Sequence, residues 1–115
     1  MDRPLEIAFA NTQPSPAIEK AVRDRVHKLE RHFRHIVGVR VVFEAKQKSH
    51  RKGNLFQFKI FVTVPNGEIV VDRANPRDHS HEEWQVALRD AFEAAERQLE
   101  DHSQKIRGEV KAHRA

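Results

Sequence analysis

The sequence contains no cysteine, which removes disulfides, thiolate metal sites and thiol nucleophiles together. It has only four glycines, and none of them builds a loop that could cradle a phosphate. No serine stands in a glycine-flanked elbow that would strain a nucleophile into reach. No apolar run approaches the roughly 18 residues needed to cross a bilayer, and Met1-Asp2-Arg3-Pro4 lacks the basic-then-apolar layout of a signal peptide. These absences predict a soluble, cytoplasmic chain with no membrane partner. Its 115 residues fit one domain, enough to bury roughly two-thirds of the unfolded surface around a single core.

Histidine is abundant, with eight residues. His79 and His81 are one residue apart in a polar connection, and His27, His32 and His35 fall in one helical segment. No pair joins a carboxylate in a known ligand or general-base arrangement. His32 and His35, three apart on a helix, could chelate, but surface histidines near phosphate are the commoner case. Glu82 and Glu83 are explained by the dipole at a helix N-terminus. The expectation is a protein with no catalytic residues, metal, cofactor or small-molecule substrate.

The formal charge of +4 is unevenly spread. Residues 1–64 carry 13 Lys+Arg against 6 Asp+Glu, a net of +7, whereas residues 65–115 carry 8 against 11, a net of −3. The positive potential belongs to the first half, where a polyanionic partner would be met.

The periods of the apolar residues predict the elements. Leu5, Ile7 and Phe9 alternate with small or charged residues, as in a half-buried strand. Asn11 to Pro14 breaks it, and Ser15 followed by Pro16 is a helix start. Ile18, Val22, Val26, Leu29 and Phe33 then form one apolar stripe on a helix expected over residues 16–35. Two alternating runs follow, one on Val37, Val39, Val41, Phe43 and Ala45, the other on Phe56, Phe58, Ile60, Val62 and Val64. Pro65-Asn66-Gly67 predicts a hairpin, because Asn and Gly tolerate positive φ, and Ile69 and Val71 mark the returning strand. Ser80 and Glu83 have capping-box spacing before a long helix. On it Trp84, Leu88, Ala91, Ala95, Leu99 and Ile106 share a face, with Ala87, Ala91 and Ala95 permitting close approach to a neighbour. The order β-α-β-β-β-α predicts an α+β two-layer sandwich: a four-stranded, mostly antiparallel sheet with both helices on one face.

On a helical wheel, Lys20, Arg23, His27, Arg31 and Arg34 fall within roughly 80°, nearly opposite the core stripe. Glu19, Asp24 and Glu30 lie at the margins of that sector. A solvated face is the bland alternative, but solvated faces ordinarily mix their signs, and segregated cations suit phosphate. A second basic cluster, Lys46, Lys48, His50, Arg51 and Lys52, occupies the loop between the second and third strands, where it could reach phosphates from the end of the sheet. Neither cluster offers the Asn and Gln that read base edges, so recognition by backbone and shape is expected. Phe61, on the open face of the sheet, could stack a base, though a partly covered aromatic is the simpler reading.

The segment Val22-Arg23-Asp24-Arg25-Val26-His27-Lys28-Leu29-Glu30-Arg31-His32-Phe33, followed by a valine-rich strand, resembles the ribosome hibernation-promoting and ribosome-associated inhibitor family, also described as the sigma-54 modulation protein family. Glu96-Arg97-Gln98-Leu99 with His102, Lys105 and Arg107 is similar to the basic end of that family's second helix. The resemblance implies a fold akin to the double-stranded RNA-binding domain, with two parallel helices on the sheet. It implies a bacterial stress-response factor bound to the rRNA of the small ribosomal subunit, a monomer when free, that regulates translation by occluding the mRNA and tRNA sites. Carried over by position, rRNA contact falls to Lys20, Arg23, His27, Lys28, Arg31 and Arg34, and to Arg97, Lys105 and Arg107.

Three features depart from that pattern. Glu93, Glu96, Glu100 and Asp101 stand where the family's second helix is dense in lysine, Glu83-Trp84 stands at its acidic-plus-tyrosine start, and the connection over residues 73–81 is long. The alternatives are therefore a domain of the same fold on another structured RNA or an RNA-bound protein, and a protein-binding regulatory module using the open sheet face. Longer family members carry a dimerisation domain after the second helix. Here a short tail over residues 108–115 is expected, so the chain is not expected to pair ribosomes by itself.

Overall fold

The computed structural model describes residues 1–47, 54–74 and 84–112. Its elements are β1 (Glu6–Ala10), α1 (Pro16–His32), β2 (Gly38–Gln47), β3 (Asn54–Val64), β4 (Gly67–Ala74) and α2 (Trp84–Ala112). The strands form one mixed sheet in the order β1-β2-β3-β4. The pair β1–β2 is parallel, bridged by α1, while β2–β3 and β3–β4 are antiparallel. This is the expected α+β sandwich.

Alternation decides which side of the sheet is covered. Val39, Val41, Phe43, Phe58, Ile60, Val62, Val64, Ile69 and Val71 all point one way and are buried. They join Ile18, Val22, Val26 and Leu29 of α1 and the apolar face of α2 in a single core. Each fully buried side chain here, such as Val22, Val41, Phe58 or Ile60, contributes about 1.5–3 kcal/mol by leaving water. Phe43 anchors an aromatic group, its ring centroid 6.0 Å from Phe9, 5.8 Å from Phe56 and 4.9 Å from Phe58. Phe9, Phe43 and Phe58 stand in one cross-strand row.

Several local expectations need correction. The hairpin forms around Pro65 and Asn66, with Val64 opposite Gly67, yet neither Asn66 nor Gly67 takes a positive φ. Proline holds the first loop residue near −65°, which excludes the primed turns that would have used that freedom. Among the described non-glycine residues, the left-handed one is Asn11 (φ 57°), directly after β1. α1 starts as predicted, with the Ser15 hydroxyl accepting from the Ile18 N–H at 3.3 Å, but it ends at His32 rather than at residue 35. Phe33 leaves helical geometry while its N–H still donates to the Leu29 carbonyl, and Ile36 turns into the core. Val37, expected to open the strand, instead links segments: its carbonyl accepts from the N–H groups of Asp2 and Arg3, and its N–H donates to Thr63. α2 is longer than expected and runs through Gly108, so no tail begins there. Its buried face is also wider, adding Phe92 and Ala94 to the predicted residues. The proposed Ser80–Glu83 cap lies outside the described residues.

Candidate nucleic-acid interface

Burial of Ile18, Val22, Val26 and Leu29 fixes which way α1 faces. Lys20, Arg23, His27, Lys28 and Arg31 are consequently exposed on its outer side. Arg34 lies beyond the helix end, so it does not belong to the helical wheel on which it was placed. It nevertheless stays with the group: a shallow hollow is lined by His27, Glu30, Arg31 and Arg34. Among the described residues, no carboxylate comes within ion-pair distance of Lys20, Arg23, Lys28, Arg31 or Arg34. A phosphate approaching this face would displace no internal partner among the described residues. The early end of α1 also removes the helical spacing of His32 and His35, because only the first of them is helical, though both line one cleft. Among the described residues, no group of three or more His, Asp or Glu is placed to hold a metal ion.

The second helix is different. Ala21 to Lys28 of α1 faces Trp84, Gln85 and Leu88 at one end of the interhelical groove, and His32 and Phe33 face Glu93, Glu96 and Glu100 at the other. The helices therefore run side by side in the same direction. Arg97 is exposed but shares its hollow with those three glutamates. Lys105 and Arg107 lie in α2, well along the helix from the α1 stripe. Lys46 falls in β2, while Lys48, Arg51 and Lys52 lie outside the described residues. The fold thus gathers the α1 cations and brings Arg97 alongside them across an acidic groove.

One feature escaped sequence reasoning. Where α1 ends, Arg31, Arg34 and Phe33 meet Asn66 of the hairpin and His102 and Ser103 of α2 around a cleft of about 480 Å³. Its walls come from three segments distant in sequence, so no local motif announces it. His102 was noticed only as part of a basic helix end.

Among the residues with described side chains, the uncovered face of the sheet carries Glu6, Arg40, Glu44, Lys59, Glu68 and Asp72, four acids against two bases. Arg40, Phe61 and Val70 stand in one cross-strand row. Phe61 is half-buried, and Val70 is 48% exposed. Arg40 lies 3.9 Å from Glu6, and the Gln57 amide donates to Asp72.

Residues 5–107 match the family model described as sigma 54 modulation protein / S30EA ribosomal protein. Among solved structures, the chain is similar to a ribosomal subunit interface protein from Coxiella burnetii, at 13% identity and a TM-score of 0.63, over 87% of this chain and 97% of that one. It is also similar to the N-terminal domain of Thermus thermophilus Protein Y, at 17% identity and a TM-score of 0.65, over 87% of this chain and 99% of that one. At these identities the likeness is one of fold. A comparison with curated protein sequences finds no match.

Proposed function

Because the chain belongs to the sigma 54 modulation protein / S30EA ribosomal protein family, we propose that it is a cytoplasmic, ribosome-associated hibernation factor that acts by occupancy. The cations of α1 neutralise phosphates of the small-subunit rRNA, and the bound domain fills space that mRNA and tRNA would use. No bond is made or broken, and no cofactor is needed. The observation that carries this reading is the outer face of α1, whose cations are exposed and free of internal ion pairs among the described residues, although Glu30 shares the hollow of Arg31 and Arg34. Such a face binds polyanions through release of condensed counterions and positions the protein without reading bases.

The exposed glutamates of α2 favour a second reading, in which the same α1 face binds another structured RNA or an RNA-bound basic protein meets α2. Sedimentation of the tagged protein through a sucrose gradient separates the two. Co-migration with small subunits or whole ribosomes is the expected result. Migration only at the top of the gradient would refute the ribosomal reading and leave the second.

A further inference from the structure

We propose that the cleft between the end of α1, the β3–β4 turn and α2 receives a single unstacked nucleotide. This rests on the reading that the protein binds RNA, and adds to it a site for one splayed base that the α1 face alone does not provide.

The volume of about 480 Å³ lies within the range of small-ligand sites. The chemistry of the lining suits the three parts of a nucleotide. Arg31 and Arg34 are exposed at the cleft and carry charge for a phosphate. Phe33 is half-buried there and offers an aromatic surface, the usual platform for an unstacked base. For the polar edge of that base, His102, Ser103 and Asn66 supply donors and acceptors. Glu100, the one acid among the described residues of the lining, can accept from an exocyclic amine.

A second observation points the same way. The Nε2 atom of His102 is buried with no hydrogen-bond partner among the described residues. A buried polar atom left unpaired is costly, so a turn of the His102 ring that brings Nε2 to the cleft and onto a bound base would be favoured. The cleft shares Arg31 and Arg34 with the hollow on the basic face, so one RNA strand can lie along α1 and place a base in it.

The nucleotide can be free or part of an unpaired RNA, and the test distinguishes these sources. ¹⁵N-labelled protein is titrated with each of the four 5′-nucleoside monophosphates, with an unpaired RNA hexamer and with a blunt RNA duplex, following the backbone resonances of Asn66, His102 and Ser103. Saturable shifts with a monophosphate support the site with a free nucleotide as its source. Shifts with the hexamer alone support it with RNA as the source. The duplex is expected to move the resonances of Arg23 and His27 and to leave the cleft unmoved. If no ligand moves the cleft resonances, or if the duplex moves them as much as the hexamer, the proposal is overturned. Co-migration with ribosomes in that case would leave the family reading standing. Ser103→Phe, which fills the cleft without changing charge, should weaken hexamer binding at least tenfold. His102→Phe, which keeps a ring of similar bulk and removes the polar edge, should weaken it in a protein of unchanged spectral dispersion. Full binding by both folded variants of the ligand that moves the cleft resonances in the wild type would contradict the site.

Discussion

The two helices share one layer and one core, yet they differ on both of their faces. Inward, α1 presents branched aliphatic side chains, Ile18, Val22, Val26 and Leu29, whereas α2 presents a mostly small surface of Ala87, Ala91, Ala94 and Ala95 with Leu88, Phe92 and Leu99. Outward, α1 is cationic, while the described side chains of α2 include Asp90, Glu93, Glu96, Glu100 and Asp101 against Arg89 and Arg97. The inner difference is one of packing, since alanines bring a helix axis closer to what it covers. The outer difference is one of partner. A fold can keep two equivalent helical positions in its core and give each a separate electrostatic role, because exposed charges contribute little to stability.

The comparison breaks most severely in the core of α1. Leu29→Ala should destabilise the domain by about 2–5 kcal/mol, since a buried side chain is replaced by a cavity; chemical denaturation at constant m-value measures it. Next comes the outer face of the same helix. Arg23→Glu with Arg31→Glu should weaken ribosome binding on the order of a hundredfold by turning attraction into repulsion. Stability should stay within about 0.5 kcal/mol of wild type, because both residues are exposed. Gradient sedimentation and thermal denaturation of the same preparation read the two effects separately.

Smaller effects sharpen the contrast. Ser15→Ala removes the hydroxyl that caps α1 and should cost about 1 kcal/mol, visible as a lowered unfolding midpoint. On α2, Glu93→Lys with Glu100→Lys should tighten RNA binding by a few-fold if that helix borders phosphate in the complex. Unchanged affinity in a filter-binding assay would mean that the acidic face looks away from the RNA.

Much of the fold was legible because side-chain periods and backbone geometry agree. The alternation through Val39 and Val41 on β2 and through Phe58 and Ile60 on β3 fixed both strands and the side each buries. Ser15 and Pro16 located the start of α1 to the residue. Element ends were less legible. Strand pairing continues to Gln47 and Asn54 because ladder hydrogen bonds use the backbone and do not require apolar side chains. The end of α1 carries neither glycine nor proline to announce it; Phe33 leaves helical geometry and Ile36 is buried just beyond. Phe92 and Ala94 were missed because α2 lies close on the sheet and buries a wider arc than one apolar stripe.

For the candidate interface, the α1 stripe was legible since one helix orders its own residues. The cleft was not, because Arg31, Asn66 and His102 meet only after the chain has folded. The basic loop at residues 48–53 lies outside the described residues, as do residues 75–83 of the connection before α2.

The central claim is that the cations of α1 contact phosphate, and the salt dependence of ribosome binding tests it most directly. Affinity is measured across a range of salt for the wild type and for Arg23→Ala with Arg31→Ala. Alanine is preferred here because it removes each contact without adding repulsion. The wild-type affinity should fall steeply with salt, and the variant's log–log slope should be shallower by about 1.4 to 1.8, the value for two lost phosphate contacts on single-strand and duplex coefficients. An identical slope and affinity in a variant of normal thermal stability would show that this face meets only solvent.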